Sequence, residues 1–306
     1  MTRVLITGSS GLLGLNLALE SMNSYYVFGV DRGKLASAPF KTIQKDLLEK
    51  RAANLILDAA RPDWLIHCAA LSDIDQCEEN PERARLLNTD LPGQLAEACA
   101  SRNIAFVHIS TDAVFDGEKE GYYTEADDPR PLNVYAQTKL EGEKAVLKTN
   151  PRAIVVRVNF YGWSLSGKRS LAEFFFYNLI ENRTISGFTD VLFCPLQVNQ
   201  LARILPQMLE KKLSGLYHAV GPQAISKYMF GVEIARKFGF NPNLISPKSV
   251  GSSGLAAKRS QNLSLSIHKL STELGQSLPD FSTGLDEFYK QFKEGFPQKI
   301  RSYQQA

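Results

Sequence analysis

Short apolar, β-branched runs punctuate the first half of the chain at 3–6, 26–30, 42–44, 64–68, 105–109 and 153–158. Most are continuously apolar rather than alternating, the pattern of strands buried on both faces of a parallel sheet. Helix-length segments lie between them at 11–21, 50–60, 83–101 and 135–148. Alternation at this spacing predicts a doubly wound, Rossmann-type α/β fold with right-handed crossovers. The second half is less regular. Helices are expected at 171–181, 200–211 and 227–238, a late strand at 215–220, loops at 251–264 and 279–284, and a terminal helix from 285 onward. The expected division is a dinucleotide-binding domain over 1–160, to which segments near 190–220 return, and a smaller C-terminal α/β substrate lobe over 161–306.

The 306 residues are 44% hydrophobic and 22% charged, an ordinary globular composition, and the net charge of +3 is spread along the chain. That balance gives no case for nucleic acid or an anionic membrane. Cys68, Cys77, Cys99 and Cys194 show no paired short spacing, and the four histidines are scattered, so neither a disulfide framework nor a metal site is expected. No apolar stretch approaches the roughly 20 residues that span a bilayer, and a cytoplasmic location is the expectation.

A glycine-rich turn, Thr7-Gly8-Ser9-Ser10-Gly11-Leu12-Leu13-Gly14, follows the first strand and opens the first helix. One glycine permits the tight turn, another lets backbone approach a pyrophosphate, and a third lets helix and strand pack closely. The helix N-terminus then offers free N–H groups and a positive dipole end to the phosphates. Gly8, Ser10, Gly11, Leu12 and Leu13 are the candidate dinucleotide contacts. Asp31 ends the second strand, where a carboxylate accepts from ribose hydroxyls and favours NAD. Arg32 follows it, and a guanidinium there holds a 2′-phosphate and favours NADP. NADPH and NADH both remain open. Asp46 and Leu47 after the third strand, and Cys68, Ala69 and Ala70 after the fourth, complete the expected rim.

Tyr135 and Lys139 are four residues apart, so both lie on one helix face. Thr111 and Asp112 end the fifth strand, at the carboxyl edge where open α/β sheets carry ligands. An ammonium beside a phenol stabilises the phenolate, so Lys139 is expected to bring Tyr135 toward neutrality and make it a usable proton donor and acceptor.

The segments TGSSGLLG (7–14), HCAALSDIDQCE (67–78), ISTDAVFDG (109–117) and PLNVYAQTKLEGEKAV (131–146) resemble the extended short-chain dehydrogenases/reductases, and within them the dTDP-4-dehydrorhamnose reductase family. Weaker similarity continues through GLYHAVG (215–221) and KYMFGVEIARKFG (227–239). The resemblance implies hydride transfer from NADPH or NADH to the keto carbon of a nucleotide-linked sugar. It implies Tyr135 as proton donor, Lys139 on the nicotinamide ribose, Thr111 on the substrate carbonyl and Asp112 beside it. A homodimer is compatible with it.

The substrate half departs from the family pattern. Phe160 stands where a tryptophan is expected near the sugar, and Phe160 and Tyr161 are the expected sugar contacts. Lys258 and Arg259 stand at the family's arginine-proline loop and are expected near a diphosphate. Ala113 after Asp112 gives no acidic residue for elimination chemistry. The segments 110–117 and 142–147 also resemble the regulatory β-subunit of methionine adenosyltransferase, which leaves a dinucleotide-binding regulatory subunit as the alternative.

Overall fold

The computed structural model describes residues 1–33, 35–252 and 258–304. Six of its strands and the helices between them build the N-terminal sheet in alternation, except that β3 follows β2 directly. They are β1 (Arg3–Thr7), α1 (Leu12–Ser21), β2 (Tyr26–Asp31), β3 (Lys41–Gln44), α2 (Ala52–Ala60) and β4 (Trp64–His67). Then come α3 (Ile74–Glu79), α4 (Pro81–Arg85), α5 (Leu91–Ala100), β5 (Ala105–Thr111), α6 (Val134–Thr149) and β6 (Ile154–Val158). Next come β7 (Phe160–Tyr161), α7 (Leu171–Ile180), β8 (Ile185–Phe188), β9 (Leu192–Phe193), β10 (Leu196–Gln197) and α8 (Val198–Glu210). The remainder are β11 (Gly215–Ala219), β12 (Ile225–Ser226), α9 (Lys227–Phe238), β13 (Ile245–Lys248), β14 (Asn262–Leu263), α10 (His268–Leu274), α11 (Phe281–Lys293) and α12 (Phe296–Arg301).

The main sheet has seven parallel strands in the order β11-β6-β5-β4-β1-β2-β3. Strand order reverses between β1 and β4, so the carboxyl ends of these two strands flank the crevice where such sheets bind ligands. One face is covered by α1, α8 and α10 through Leu13, Leu17, Leu201, Leu205 and Leu270, all buried. The other is covered by α2 and α5 through Ile56, Leu57, Leu91 and Leu95. A second core, largely aromatic, is built mostly by residues beyond 160. Trp163 stacks on Phe288 with ring centroids 4.0 Å apart, and Phe175, Phe176 and Phe230 pack around them.

Three expectations are corrected here. The helix expected over 83–101 is interrupted by a π-turn at Leu86–Asp90 before α5 begins. Pro92 in the first turn of α5 has no N–H to give the Asn88 carbonyl. That carbonyl instead meets α6 where it carries Gly142, whose missing Cβ would fall 2.1 Å from the Asn88 oxygen. The loop expected over 279–284 already contains the start of α11, because Asp280 accepts from Thr283 N at 2.8 Å and caps the helix at Phe281. In the loop expected over 251–264, residues 253–257 lie outside the described residues, and the rest contains β14.

The catalytic-helix candidate α6 is pinned to the sheet by buried charge. Glu143 accepts Arg157 Nε and Nη2 at 2.9 and 2.8 Å and the Ser110 hydroxyl at 2.5 Å. The two charged side chains are 3% and 5% exposed. Removing one partner leaves an uncompensated buried charge, so Arg157→Met is expected to lower stability to urea by about 3–5 kcal/mol. The double variant Arg157→Met/Glu143→Leu should recover part of it. An unchanged urea midpoint in Arg157→Met would show that the pair does not hold α6.

Candidate active site

The glycine turn closes tightly because backbone occupies the space that side chains would need. Gly8 has φ of +69°, and a Cβ on it would lie 2.7 Å from Ala69 N. A Cβ on Gly14 would lie 2.1 Å from the Gly8 carbonyl oxygen. Gly8 N and Ser9 N bond the Val30 carbonyl at 2.8 and 3.2 Å, which ties the turn to the end of β2. The first turn of α1 begins after Gly11 with no side-chain cap, leaving its amides to a ligand. Asp31 Oδ2 accepts Ser10 N at 2.9 Å and Ser10 Oγ at 2.7 Å, while Oδ1 accepts Arg32 N at 2.8 Å. The carboxylate therefore holds the turn in shape. The Arg32 side chain is exposed and has no bonding partner among the described residues. These features fit a dinucleotide: a backbone cradle with no room for side chains, open first-turn amides, and an acidic residue at the end of β2.

Cys68, Ala69 and Ala70 follow β4 on the opposite wall, with Cys68 N bonded to the Thr7 carbonyl at 3.2 Å. Burial pushes the Cys68 thiol up to about 12, against the opposing charge of Lys139, which places that ammonium near this wall. Leu12 and Leu13 have buried side chains, so only their backbone can face a ligand. Leu47 packs into the core beside α2, and Asp46 accepts Leu48 N at 3.0 Å to shape the turn after β3.

At the end of β5 the structure brings Thr111, Asp112, Tyr135 and Lys139 together. Lys139 is 3% exposed and donates to the Ile109 carbonyl at 2.6 Å. Burial brings its pKa down to about 8, with Glu143 one turn on working the other way. Burial raises the Tyr135 phenol to about 12, with the neighbouring Thr111 hydroxyl working the other way. The expected tuning of Tyr135 by Lys139 is thus corrected. The ammonium is turned to the strand carbonyl, and desolvation is the larger effect. Asp112 is 4% exposed and accepts Asn159 Nδ2 at 2.5 Å and the Thr111 hydroxyl at 3.1 Å. Burial raises its pKa to about 6, with Asn159, Thr111 and the charge of Lys227 opposing.

The substrate-half candidates divide. Tyr161 is 1% exposed, packs edge-on against Phe230 and Phe288, and its hydroxyl is buried without a partner. It belongs to the aromatic core, which corrects its expected place against a sugar. Phe160 is half-buried against the cluster containing Leu12 and Val198. Lys258 is exposed, and Arg259 Nη2 lies 3.3 Å from Asp75 Oδ1 while its Nη1 is buried with no partner among the described residues. Asn159 and Lys227 escaped the sequence reading. An asparagine after a strand and a lysine opening a helix carry no chemical signature until the fold sets them beside Asp112. Among the described residues no cluster of three metal-ligating side chains occurs, and no helix is long and apolar enough to cross a membrane.

A glycine turn at the switch point of a parallel sheet, with threonine, tyrosine and lysine converging beside it, defines a Rossmann-type protein of the extended short-chain dehydrogenase/reductase class. Residues 1–294 match the family described as the RmlD substrate binding domain, and the chain belongs to that family. It is 32% identical over 285 residues to a probable low-salt glycan biosynthesis reductase, Agl14, of Haloferax volcanii, covering 92% of this chain and 95% of that one. It is 33% identical over 294 residues to the methionine adenosyltransferase 2 subunit beta of Pongo abelii, covering 93% and 86%. Its structure superposes on a dTDP-4-dehydrorhamnose reductase from Bacillus anthracis solved with NADP, with a TM-score of 0.86, 26% identity, and coverage of 95% and 99%.

The buried Asp112 carboxyl sets a pH dependence of stability. Its folded pKa of about 6 lies above the unfolded value near 3.8, so the native state holds this proton more tightly. Its contribution is therefore greatest below pH 4 and declines as pH rises to about 6. Asp112→Asn removes that decline. Urea midpoints of variant and parent should separate in the variant's favour between pH 4 and pH 6. A constant difference across that range would mean Asp112 is ionised throughout.

Proposed function

We propose that the chain is an NAD(P)H-dependent reductase of a nucleotide-linked 4-keto-6-deoxysugar, with Tyr135 as the proton donor. The observation that carries this reading is the convergence of Thr111, Tyr135 and Lys139 at the carboxyl end of β5, across from the glycine turn. Family membership and the NADP complex of the related reductase support it.

The turn at Gly8–Gly14 and the open amides of α1 bind the pyrophosphate. Asp31 meets the adenosine ribose, and the unengaged Arg32 guanidinium is available to a 2′-phosphate, which favours NADPH. The bound dinucleotide supplies the hydride. The remaining work falls to side chains. The Thr111 hydroxyl holds the carbonyl oxygen, and Tyr135, kept as a neutral phenol by burial, has a proton to give to that oxygen as charge develops. Lys139 stays mostly charged at neutral pH and orients the nicotinamide ribose. On the far side, the unpartnered Nη1 of Arg259 is available to the substrate diphosphate.

A dinucleotide-binding regulatory subunit is the second reading, favoured by the similarity to methionine adenosyltransferase 2 subunit beta. The complete threonine, tyrosine and lysine set favours catalysis.

Tyr135→Phe should lower turnover of a nucleotide-linked 4-keto-6-deoxysugar roughly 100-fold or more, the usual scale of general acid catalysis. Dinucleotide affinity should be nearly unchanged. The check is NADPH oxidation with dTDP-, UDP-, GDP- and CDP-linked keto sugars, with dinucleotide binding measured in parallel. Undiminished turnover in the variant removes Tyr135 from the mechanism. If the parent reduces none of these sugars while a partner protein raises its melting temperature, the regulatory reading prevails.

A further inference from the structure

The short helix α3 touches both halves of the candidate site. Its N-cap, Asp73, accepts Gln76 N at 3.0 Å, which starts the helix in the segment after β4. Asp75 and Glu78 are three residues apart and share a face. Glu78 Oε1 accepts the N–H of Val134 at 2.8 Å, the amide immediately before Tyr135. Within α6 itself, Asn133 Oδ1 accepts Ala136 N at 2.9 Å, so the first turn of this helix has one cap from its own chain segment and one from α3. Asp75 meets Arg259, and that segment is docked again by Asn133 Nδ2 on the Lys258 carbonyl at 3.2 Å and by Ser260 Oγ on the Phe115 carbonyl at 2.6 Å.

We propose that α3 is a brace that positions Tyr135 from outside its own helix, with Glu78 fixing the first turn of α6 and Asp75 tying the brace to Arg259. The catalytic consequence rests on the reductase reading, but the mechanical one does not. A phenol that must reach a developing alkoxide is placed by the backbone that carries it, and small misplacements are costly. Glu78 and Asp75 touch no reacting atom. They are positioning residues, and their side chains lie at the surface, where substitution leaves the core intact.

The experiment pairs hydrogen exchange with kinetics on the full chain. In Glu78→Ala, exchange in a peptide spanning 133–139 should rise about five-fold, the scale on which a lost helix cap acts. Glu78→Gln keeps an acceptor oxygen at the same reach and should restore protection. Asp75→Ala should raise exchange both around 258–262 and, more weakly, across 133–139, since an exposed ion pair is worth less than a cap. In turnover, Glu78→Ala should lower kcat about five-fold with KM and dinucleotide affinity unchanged, and Glu78→Gln should recover it. The brace is overturned if Glu78→Ala leaves 133–139 protected, if Glu78→Gln exchanges as fast as the alanine variant, or if Asp75→Ala loosens only 258–262. Should the parent reduce no nucleotide sugar, the reductase reading fails, and the exchange measurements alone still decide the brace.

Discussion

The placement of α6 against β5 is the constraint on which the rest of the site depends. Tyr135 and Lys139 are useful only if this helix keeps its height and rotation over the strand that ends in Thr111. Two buried contacts impose that register: the Lys139 ammonium on the Ile109 carbonyl, and Glu143 held between Arg157 and Ser110. Apolar packing alone tolerates small sliding of a helix over a sheet. A buried charge does not, because any shift strands an ionised group without its partner. The small residue at Gly142 completes the fit by admitting the Asn88 carbonyl at close range.

The same burial sets the chemistry. Every ionisable group at the centre of the site is pushed toward its neutral form: Tyr135 up to about 12, Asp112 up to about 6, Lys139 down to about 8. In a water-poor crevice, desolvation outweighs the neighbouring charges. A tyrosine in that setting is a phenol across the physiological range. It suits a donor that must still hold its proton when the carbonyl oxygen begins to develop charge. Lys139, by contrast, is brought down by burial only to about 8, with Glu143 one turn away working the other way.

The alternation of apolar runs made the parallel sheet legible, because strands buried on both faces leave little choice of residue. The glycine turn was legible because backbone contacts at Gly8 and Gly14 exclude any side chain. The four-residue spacing of Tyr135 and Lys139 follows from helix geometry. The break before α5 was hidden because a proline in a helical run signals either a first turn or a kink, and only the packing of Gly142 on the Asn88 carbonyl decides. Tyr161 was misread for a related reason: an aromatic beside a site and an aromatic in a core look alike in sequence. Its surroundings of Phe230 and Phe288 come from segments 69 and 127 residues further along the chain. Asn159, Lys227 and Glu78 act through contacts between distant segments, which no local pattern encodes.

Isotope transfer tests the central claim most directly. NADPH carrying deuterium at the transferable position of the nicotinamide is incubated with the protein and a nucleotide-linked 4-keto-6-deoxysugar, and the sugar is examined by NMR. The account predicts deuterium on the former keto carbon, a new hydroxyl at that carbon, and one dinucleotide oxidised per sugar reduced. Recovery of an unlabelled, unreduced sugar with the dinucleotide bound but intact would contradict it.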